Sequence, residues 1–209
     1  MKNCIYFAGN SELSVTDPTL VLGWGFSGTG LRTPPAPPDC AGLLLDDRIL
    51  PARGDLDRAE AALRGRGGVV VCDFERPRDP VLETLLRRLR DLELVVPAHY
   101  ADLPHAAVLT GPYRPGLPFR RWLAARQAKY GPLVLDGAPV RHRVRPGCPP
   151  EAWTGPVPEK CCRNPGAGCL TGRQDGAFLF WDSRETLRRR WESAGVPVIV
   201  LWREWAALP

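Results

Sequence analysis

Short apolar runs alternate with longer amphipathic segments along most of the chain. Runs rich in apolar and β-branched residues, bounded by Gly, Pro, Asn or Asp, are typical of buried strands. Eight main runs of this kind lie at residues 4–8, 20–26, 42–45, 69–73, 94–98, 106–110, 133–135 (or 133–140) and 196–202, and residues 177–181 are also extended.

Apolar residues at helical spacing separate several of the predicted strands. Helices are predicted at 56–64, 81–92 and 119–130, and from Asp182 or Ser183 to residue 194. Asp55 is expected to cap the first helix, because an aspartate side chain can accept the free N–H groups of a first turn.

Strands that alternate with helices predict an α/β protein. Eight main strands favour a small (β/α)8 barrel of the TIM type, shorter than the ~250 residues that are typical. The first three connections look poor in helix, so the outer ring is expected to be incomplete, and an open α/β sheet is the alternative. Residues 1–209 are expected to form one domain, with an irregular Cys/Pro/Gly-rich insertion at about 145–175.

Composition and charge narrow the class of protein. The chain has 209 residues, 44% of them hydrophobic, which is enough for one sizeable core. No run approaches the ~18 apolar residues of a membrane span, and the amino terminus becomes polar too soon for a secretory signal. We therefore expect a cytoplasmic protein with no membrane partner.

The net charge of +5 is dispersed over several arginine groups, and a nucleic-acid partner is not expected, because it requires one continuous basic stripe.

The stretch from Gly23 to Gly28 matches G-x-G-x-x-G letter for letter. A dinucleotide-binding loop must open a helix, whose amino terminus holds the pyrophosphate. Four of the five residues at 34–38 are prolines, which forbid that helix. No nucleotide cofactor is therefore predicted.

The strand at 69–73 carries the strongest candidates for catalytic residues. It ends in Asp73, and Glu75 follows two residues later. Alternate side chains of a strand share a face, so the two carboxylates are expected to point the same way, with Cys72 on the opposite face. In parallel α/β folds ligands bind at the carboxyl ends of the strands. A carboxylate pair at such a place favours acid–base catalysis, and the alternative is a solvated pair bonded to Arg76 or Arg78.

The order of these features resembles the chitinase-type glycoside hydrolases (family 18). That family carries D-x-x-D-x-D-x-E on its fourth barrel strand, and the corresponding residues here are Gly68, Val71, Asp73 and Glu75. Weaker similarity continues through residues 94–98, 108–110, 132–141 and 180–202, and covers about 55–205 in all.

The resemblance implies a hydrolase for a glycan that contains N-acetylhexosamine. Glu75 would protonate the glycosidic oxygen, the acetamido oxygen of the sugar would attack its own anomeric carbon, and Asp73 would stabilise the oxazolinium ion. Aromatic rings suit sugar faces, and the resemblance places Trp202 at the floor of the sugar site. The other candidate sugar-binding residues are Trp24, Trp181, Tyr100 and Tyr113.

Two alternatives remain open at the level of sequence. Val71 replaces an acid that in the family interacts with the one at Asp73, so a catalytically degenerate, carbohydrate-binding or structural barrel is one alternative. A lysozyme-like hydrolase with its own D-x-E strand end is the other. A carbohydrate ligand is expected under either hydrolase and under the binding alternative.

Four cysteines of the insertion do not favour a metal site. Cys148, Cys161, Cys162 and Cys169 have the spacing C-x12-C-C-x6-C, whereas structural zinc sites usually show C-x2-C pairs. Neither a metal nor another cofactor is predicted, and these cysteines are interpreted as reduced thiols.

Overall fold

The computed structural model describes residues 1–9, 18–27, 30–33 and 39–208. The described residues form fourteen strands: β1 Ile5–Gly9, β2 Thr19–Ser27, β3 Gly30–Arg32, β4 Gly42–Asp46, β5 Val69–Asp73, β6 Glu93–Pro97, β7 Ala106–Leu109, β8 Leu133–Asp136, β9 Arg141–Val144, β10 Glu151–Ala152, β11 Cys162–Asn164, β12 Cys169–Gln174, β13 Ala177–Trp181 and β14 Val198–Leu201. They also form five α-helices: α1 Leu56–Arg66, α2 Pro80–Arg88, α3 Phe119–Tyr130, α4 Arg184–Glu192 and α5 Trp202–Ala206.

Eight of these strands close into a parallel barrel. The order around the ring is β1, β2, β4, β5, β6, β7, β8 and β14, and β14 pairs again with β1. The predicted small TIM-type barrel is therefore confirmed, and the open sheet is excluded because β1 has a parallel neighbour on each side.

Alternate residues of each strand face the barrel interior. The packed interior consists of Tyr6, Ala8, Leu20, Leu44, Val69, Val71, Val95, Val134 and Ile199. The opposite faces of the strands pack beneath α1 and α2 on one side and beneath α3 and α4 on the other. Because the side-chain period of a strand is two, Asp46, Asp73 and Asp136 continue the interior rows at the carboxyl ends of β4, β5 and β8. We call this end of the barrel the mouth.

The outer layer only partly matches the prediction. The third connection contains α1, where a helix was predicted at 56–64, so the expectation of a helix-poor connection does not hold there. The first connection, residues 10–17, lies outside the described residues. In the second, Gly30–Arg32 pairs antiparallel with β2, so a strand follows the glycine motif where a dinucleotide loop would open a helix. None of the helices in the described ranges is long and apolar enough to cross a membrane.

Three strands within the predicted insertion, β10, β11 and β12, join β9 and β13 in a second, antiparallel sheet, and the segments between these strands are irregular. Its five strands lie in the order β10, β9, β13, β12 and β11. A small cluster of Trp153, Leu179 and Trp181 is buried against it. Strands β9, β11 and β12 are rich in polar residues that are exposed or only partly buried, so they lack the strong apolar alternation by which strands are recognised.

Several predicted boundaries shift. The seventh barrel strand ends at Asp136 and does not continue to Val140, and the eighth ends at Leu201, since Trp202 begins α5. The Asp55 side chain makes no capping hydrogen bond and instead pairs with Arg58 at 2.6 Å.

A buried ion pair joins the second sheet to the barrel. Both nitrogens at the tip of Arg190 donate to the Asp182 carboxylate, at 2.8 and 2.7 Å. The same carboxylate accepts the Val140 N–H at 2.7 Å and the Thr186 hydroxyl at 3.2 Å. Asp182 therefore ties the exit of β8 to the start of α4.

Candidate active site at the barrel mouth

Three barrel strands end in aspartates that face the mouth. They are Asp46 on β4, Asp73 on β5 and Asp136 on β8. All barrel strands are parallel, so their carboxyl ends meet at one rim. Such a rim is where TIM barrels place their catalytic groups.

Asp73 is accessible to solvent and forms no ion pair with the described residues. The protein around it nonetheless displaces water, and this raises the pKa of its carboxyl. The negative charges of Glu75, Asp46 and Asp47 raise that pKa further, while Arg48 opposes them. The proton of Asp73 is therefore held more tightly than that of an ordinary aspartate.

Asp46 is the nearest strand neighbour of Asp73. The two residues are aligned across the β4–β5 pair. Asp46 accepts a hydrogen bond from Arg32 at 2.9 Å and lies 3.3 Å from a guanidinium nitrogen of Arg48. Two arginines thus pair with one carboxylate beside another that has no such partner.

Glu75 lies just beyond the end of β5 and is exposed. Its backbone position is fixed by Asp47, which is buried and accepts the N–H groups of Glu75 and Arg76 at 3.1 and 2.9 Å. Phe74 between the two acids packs edge-on against Tyr100 in the outer layer. The loop is therefore anchored at its backbone while the Glu75 carboxylate is free to meet a ligand.

Asp136 is the most perturbed carboxyl of the mouth. Burial raises its pKa to about 6, with further contributions from the charges of Glu204 and Asp73, although the Ala138 N–H donates to it at 3.0 Å. Its backbone N–H donates to the buried Thr110 hydroxyl at 3.0 Å. Asp136 therefore exchanges its proton close to neutral pH, as a general acid must.

Glu204 completes the group from the other side of the ring. It lies in the first turn of α5, and burial followed by the charge of Asp73 raises the pKa of its carboxyl. The sequence prediction missed both Asp136 and Glu204. Asp136 carried a usable signal, since it follows a buried strand directly as Asp73 does, whereas Glu204 belongs to a helix that was not predicted.

The aromatic residues predicted to bind sugar are mostly in the core. The side chains of Trp24, Tyr100, Tyr113 and Trp181 are buried. The hydroxyls of the two tyrosines bond to backbone groups: the Asp79 N–H donates to Tyr100 at 2.8 Å, and Tyr113 donates to the Leu117 carbonyl at 2.6 Å. These four rings present little surface to a ligand.

Trp202 is half-buried and packs against Phe7, with ring centroids 5.6 Å apart. Phe7 belongs to the outer layer. The interior position at this strand end is occupied by Leu201, which packs on the interior cluster. The structure thus brings Asp73 and Glu75 together but gives Trp202 a contact in the outer layer.

Cys72 lies on the face opposite the acids, as predicted. It is fully buried in the outer layer, and burial raises the pKa of its thiol. The described ranges contain no group of three or more His, Cys, Asp or Glu side chains that could hold a metal ion. The site is therefore described best as a cluster of carboxylates of unequal proton affinity.

No protein-family model matches the sequence, and no curated protein matches it.

Proposed function

We propose that the chain is a glycoside hydrolase that acts by acid–base catalysis at the barrel mouth. The observation that carries this proposal is the pair formed by Asp73 and Glu75. Both carboxylates are accessible and neither has an arginine partner among the described residues. Burial raises the pKa of Asp73, and the charge of Glu75 raises it further. Carboxyl groups whose surroundings separate their proton affinities are the usual basis of glycoside hydrolysis.

The resemblance to chitinase-type hydrolases suggests substrate assistance on an N-acetylhexosamine-containing glycan. Glu75 protonates the leaving glycosidic oxygen, and the acetamido oxygen of the substrate attacks the anomeric carbon. Asp73 accepts the acetamido N–H and stabilises the positive oxazolinium ion that forms. After the leaving group departs, Glu75 takes a proton from a water molecule as the water oxygen attacks the anomeric carbon. The bond between that carbon and the acetamido oxygen then breaks, and the oxazolinium ring opens.

One departure from the family pattern has a counterpart in the structure. Val71 is fully buried in the barrel interior and supplies no charge. Asp46, on the adjacent strand, is aligned with Asp73 and raises its pKa. We infer that Asp46 takes over the part that the missing acid plays in tuning Asp73.

Asp136 supports a second candidate, a lysozyme-like hydrolase that uses two carboxylates. In that mechanism the carboxyl with a pKa of about 6 donates the proton to the glycosidic oxygen, and Asp73 acts on the anomeric carbon or on water. This version needs no acetamido group on the sugar.

Two substrates and two variants distinguish the two mechanisms. The substrates are the 4-methylumbelliferyl glycosides of chitobiose and of cellobiose, which differ in the acetamido groups. Substrate assistance predicts that only the first is cleaved, that Glu75→Gln lowers kcat by about 10²–10⁴-fold, and that Asp136→Asn changes it little. The two-carboxylate mechanism predicts the large loss for Asp136→Asn.

The matched control is Asp175→Asn, at an exposed turn between β12 and β13. It should leave kcat unchanged. Absence of turnover on both glycosides, or full activity of Glu75→Gln and Asp136→Asn alike, would refute the hydrolase proposal. In that event glycan binding without hydrolysis, measured by calorimetry with chitobiose, identifies the degenerate carbohydrate-binding barrel.

A further inference from the structure

A cavity outside the barrel wall is lined by four arginines. Its volume is about 350 Å³, and it lies where the second sheet packs against the helices. Arg120 comes from α3, Arg163 from β11, and Arg189 and Arg190 from α4. The described residues that line it include no aspartate or glutamate.

Two of the four positive charges are already balanced. Arg190 is bonded to the buried Asp182 carboxylate, and Arg189 lies 2.6 Å from Glu185 on the same helix. Arg120 and Arg163 form no ion pair within the described ranges. The first turn of α3 also contains no acidic residue that could oppose them. The cavity therefore has an excess of about two positive charges.

The cavity exists because the insertion docks on the barrel. The Phe119 N–H at the start of α3 donates to the Gly166 carbonyl at 2.8 Å, and both residues line the cavity. Gly168, further along the same loop, has a left-handed backbone with φ of 69° and faces the Arg190 side chain. The loop between β11 and β12 thus forms one wall, and α3 and α4 form the other.

We propose that this cavity binds the phosphate group of a small phosphomonoester. Guanidinium groups match phosphate oxygens in a two-pronged geometry, and two of them balance a dianion. The volume falls in the range of small-molecule sites, ~300–1,000 Å³, so it holds a ligand larger than free phosphate. Pro118, Phe119 and Pro165 supply apolar wall beside the charges. The proposal does not depend on the chemistry proposed for the mouth.

The test is equilibrium binding by isothermal titration calorimetry at low ionic strength. The probes are inorganic phosphate, glucose 6-phosphate and adenosine 5′-monophosphate, with glucose and adenosine as controls that lack phosphate. The double variant Arg120→Gln/Arg163→Gln removes the two unpaired charges. The matched double variant Arg114→Gln/Arg121→Gln removes the same net charge from exposed arginines that do not line the cavity.

We expect wild type to bind at least one phosphate ester saturably and neither glucose nor adenosine. Removing both cavity arginines should weaken binding by about 100-fold, at about tenfold for each charge-assisted contact. The matched variant should bind within about twofold of wild type. The proposal is overturned if no probe binds saturably, or if both double variants lose affinity equally, because the interaction is then general attraction to a basic protein. These measurements involve no turnover, so they succeed or fail independently of the hydrolase assay.

Discussion

Replacing Asp136 with Asn tests whether the surroundings at the mouth raise the pKa of its carboxyl. Burial and the charges of Glu204 and Asp73 raise the pKa of Asp136 from 3.8 to about 6. Well below the lower value the carboxyl is neutral in the folded and unfolded chains alike, and it does not affect stability. As the pH rises through the window between the two values, the unfolded chain releases its proton more readily than the folded protein does. The free energy of unfolding therefore falls in that window.

The size of the effect follows from the two pKa values. At about 1.36 kcal/mol for each pKa unit, ionised Asp136 destabilises the fold by at most about 3 kcal/mol. The side chain is partly exposed, and solvent screening reduces the penalty to between about 1 and 3 kcal/mol. An asparagine oxygen can still accept the Ala138 N–H. We therefore expect Asp136→Asn to match wild type at pH 4 within about 0.5 kcal/mol and to be more stable by about 1–3 kcal/mol at pH 8.

The assay is urea unfolding followed by circular dichroism and tryptophan fluorescence at both pH values. With a slope of about 2 kcal/mol per molar urea, the midpoint of Asp136→Asn should rise by about 0.5–1.5 M at pH 8. Asp175→Asn, at its exposed turn, should move neither midpoint appreciably. An equal shift at pH 4 and pH 8, or a loss of stability at pH 8, would show that the surroundings of Asp136 do not raise the pKa of its carboxyl.

Three further substitutions test the fold by the same urea measurement. Arg190→Met should cost about 3–5 kcal/mol, because it leaves the Asp182 carboxylate buried without its counter-charge; a loss below about 1 kcal/mol would mean that water reaches the pair, and exposed Arg189→Met is the control. Asp79→Ala should cost about 1–2 kcal/mol, since its side chain accepts two N–H groups in the first turn of α2, and an unchanged midpoint would contradict that capping role. Leu85→Ala should cost about 2–5 kcal/mol because the side chain is fully buried, and a smaller loss would indicate that the outer layer collapses around the gap.

Barrel strands were predictable where the sequence marks both of their ends. The strand Val69–Asp73 was located to the residue, because four fully apolar positions lie between two glycines and an acid. Gly67 and Gly68 have φ of 66° and 76°, a region that other residues rarely adopt, so the start of the strand is determined by the backbone itself. The end of β14 had no such mark. Leu201 and Trp202 are both apolar, and the change from strand to helix between them leaves no trace in the pattern.

The candidate site was predictable only in part for a related reason. Asp73 and Glu75 are neighbours in sequence, so the period of a strand was enough to pair them. Asp136 and Glu204 join them only through closure of the ring, and their proton affinities depend on charges contributed by other elements. Buried aromatic rings such as Trp24 and Tyr100 cannot be distinguished from ligand-binding rings by position near a strand end.

Closure of the barrel by β1 and β14 has a consequence for how the chain folds. Ile5 is aligned with Val198, and Ala8 with Leu201, so the contact that seals the ring joins the first and the last of the described strands. Contacts at such sequence separation are slow to form, because a long loop must lose its freedom before they stabilise anything. During synthesis, one edge of β1 and one edge of β8 stay unpaired until β14, which pairs with both, leaves the ribosome. An unpaired strand edge attracts other strands, and we expect this interval to be when the protein is most prone to aggregation.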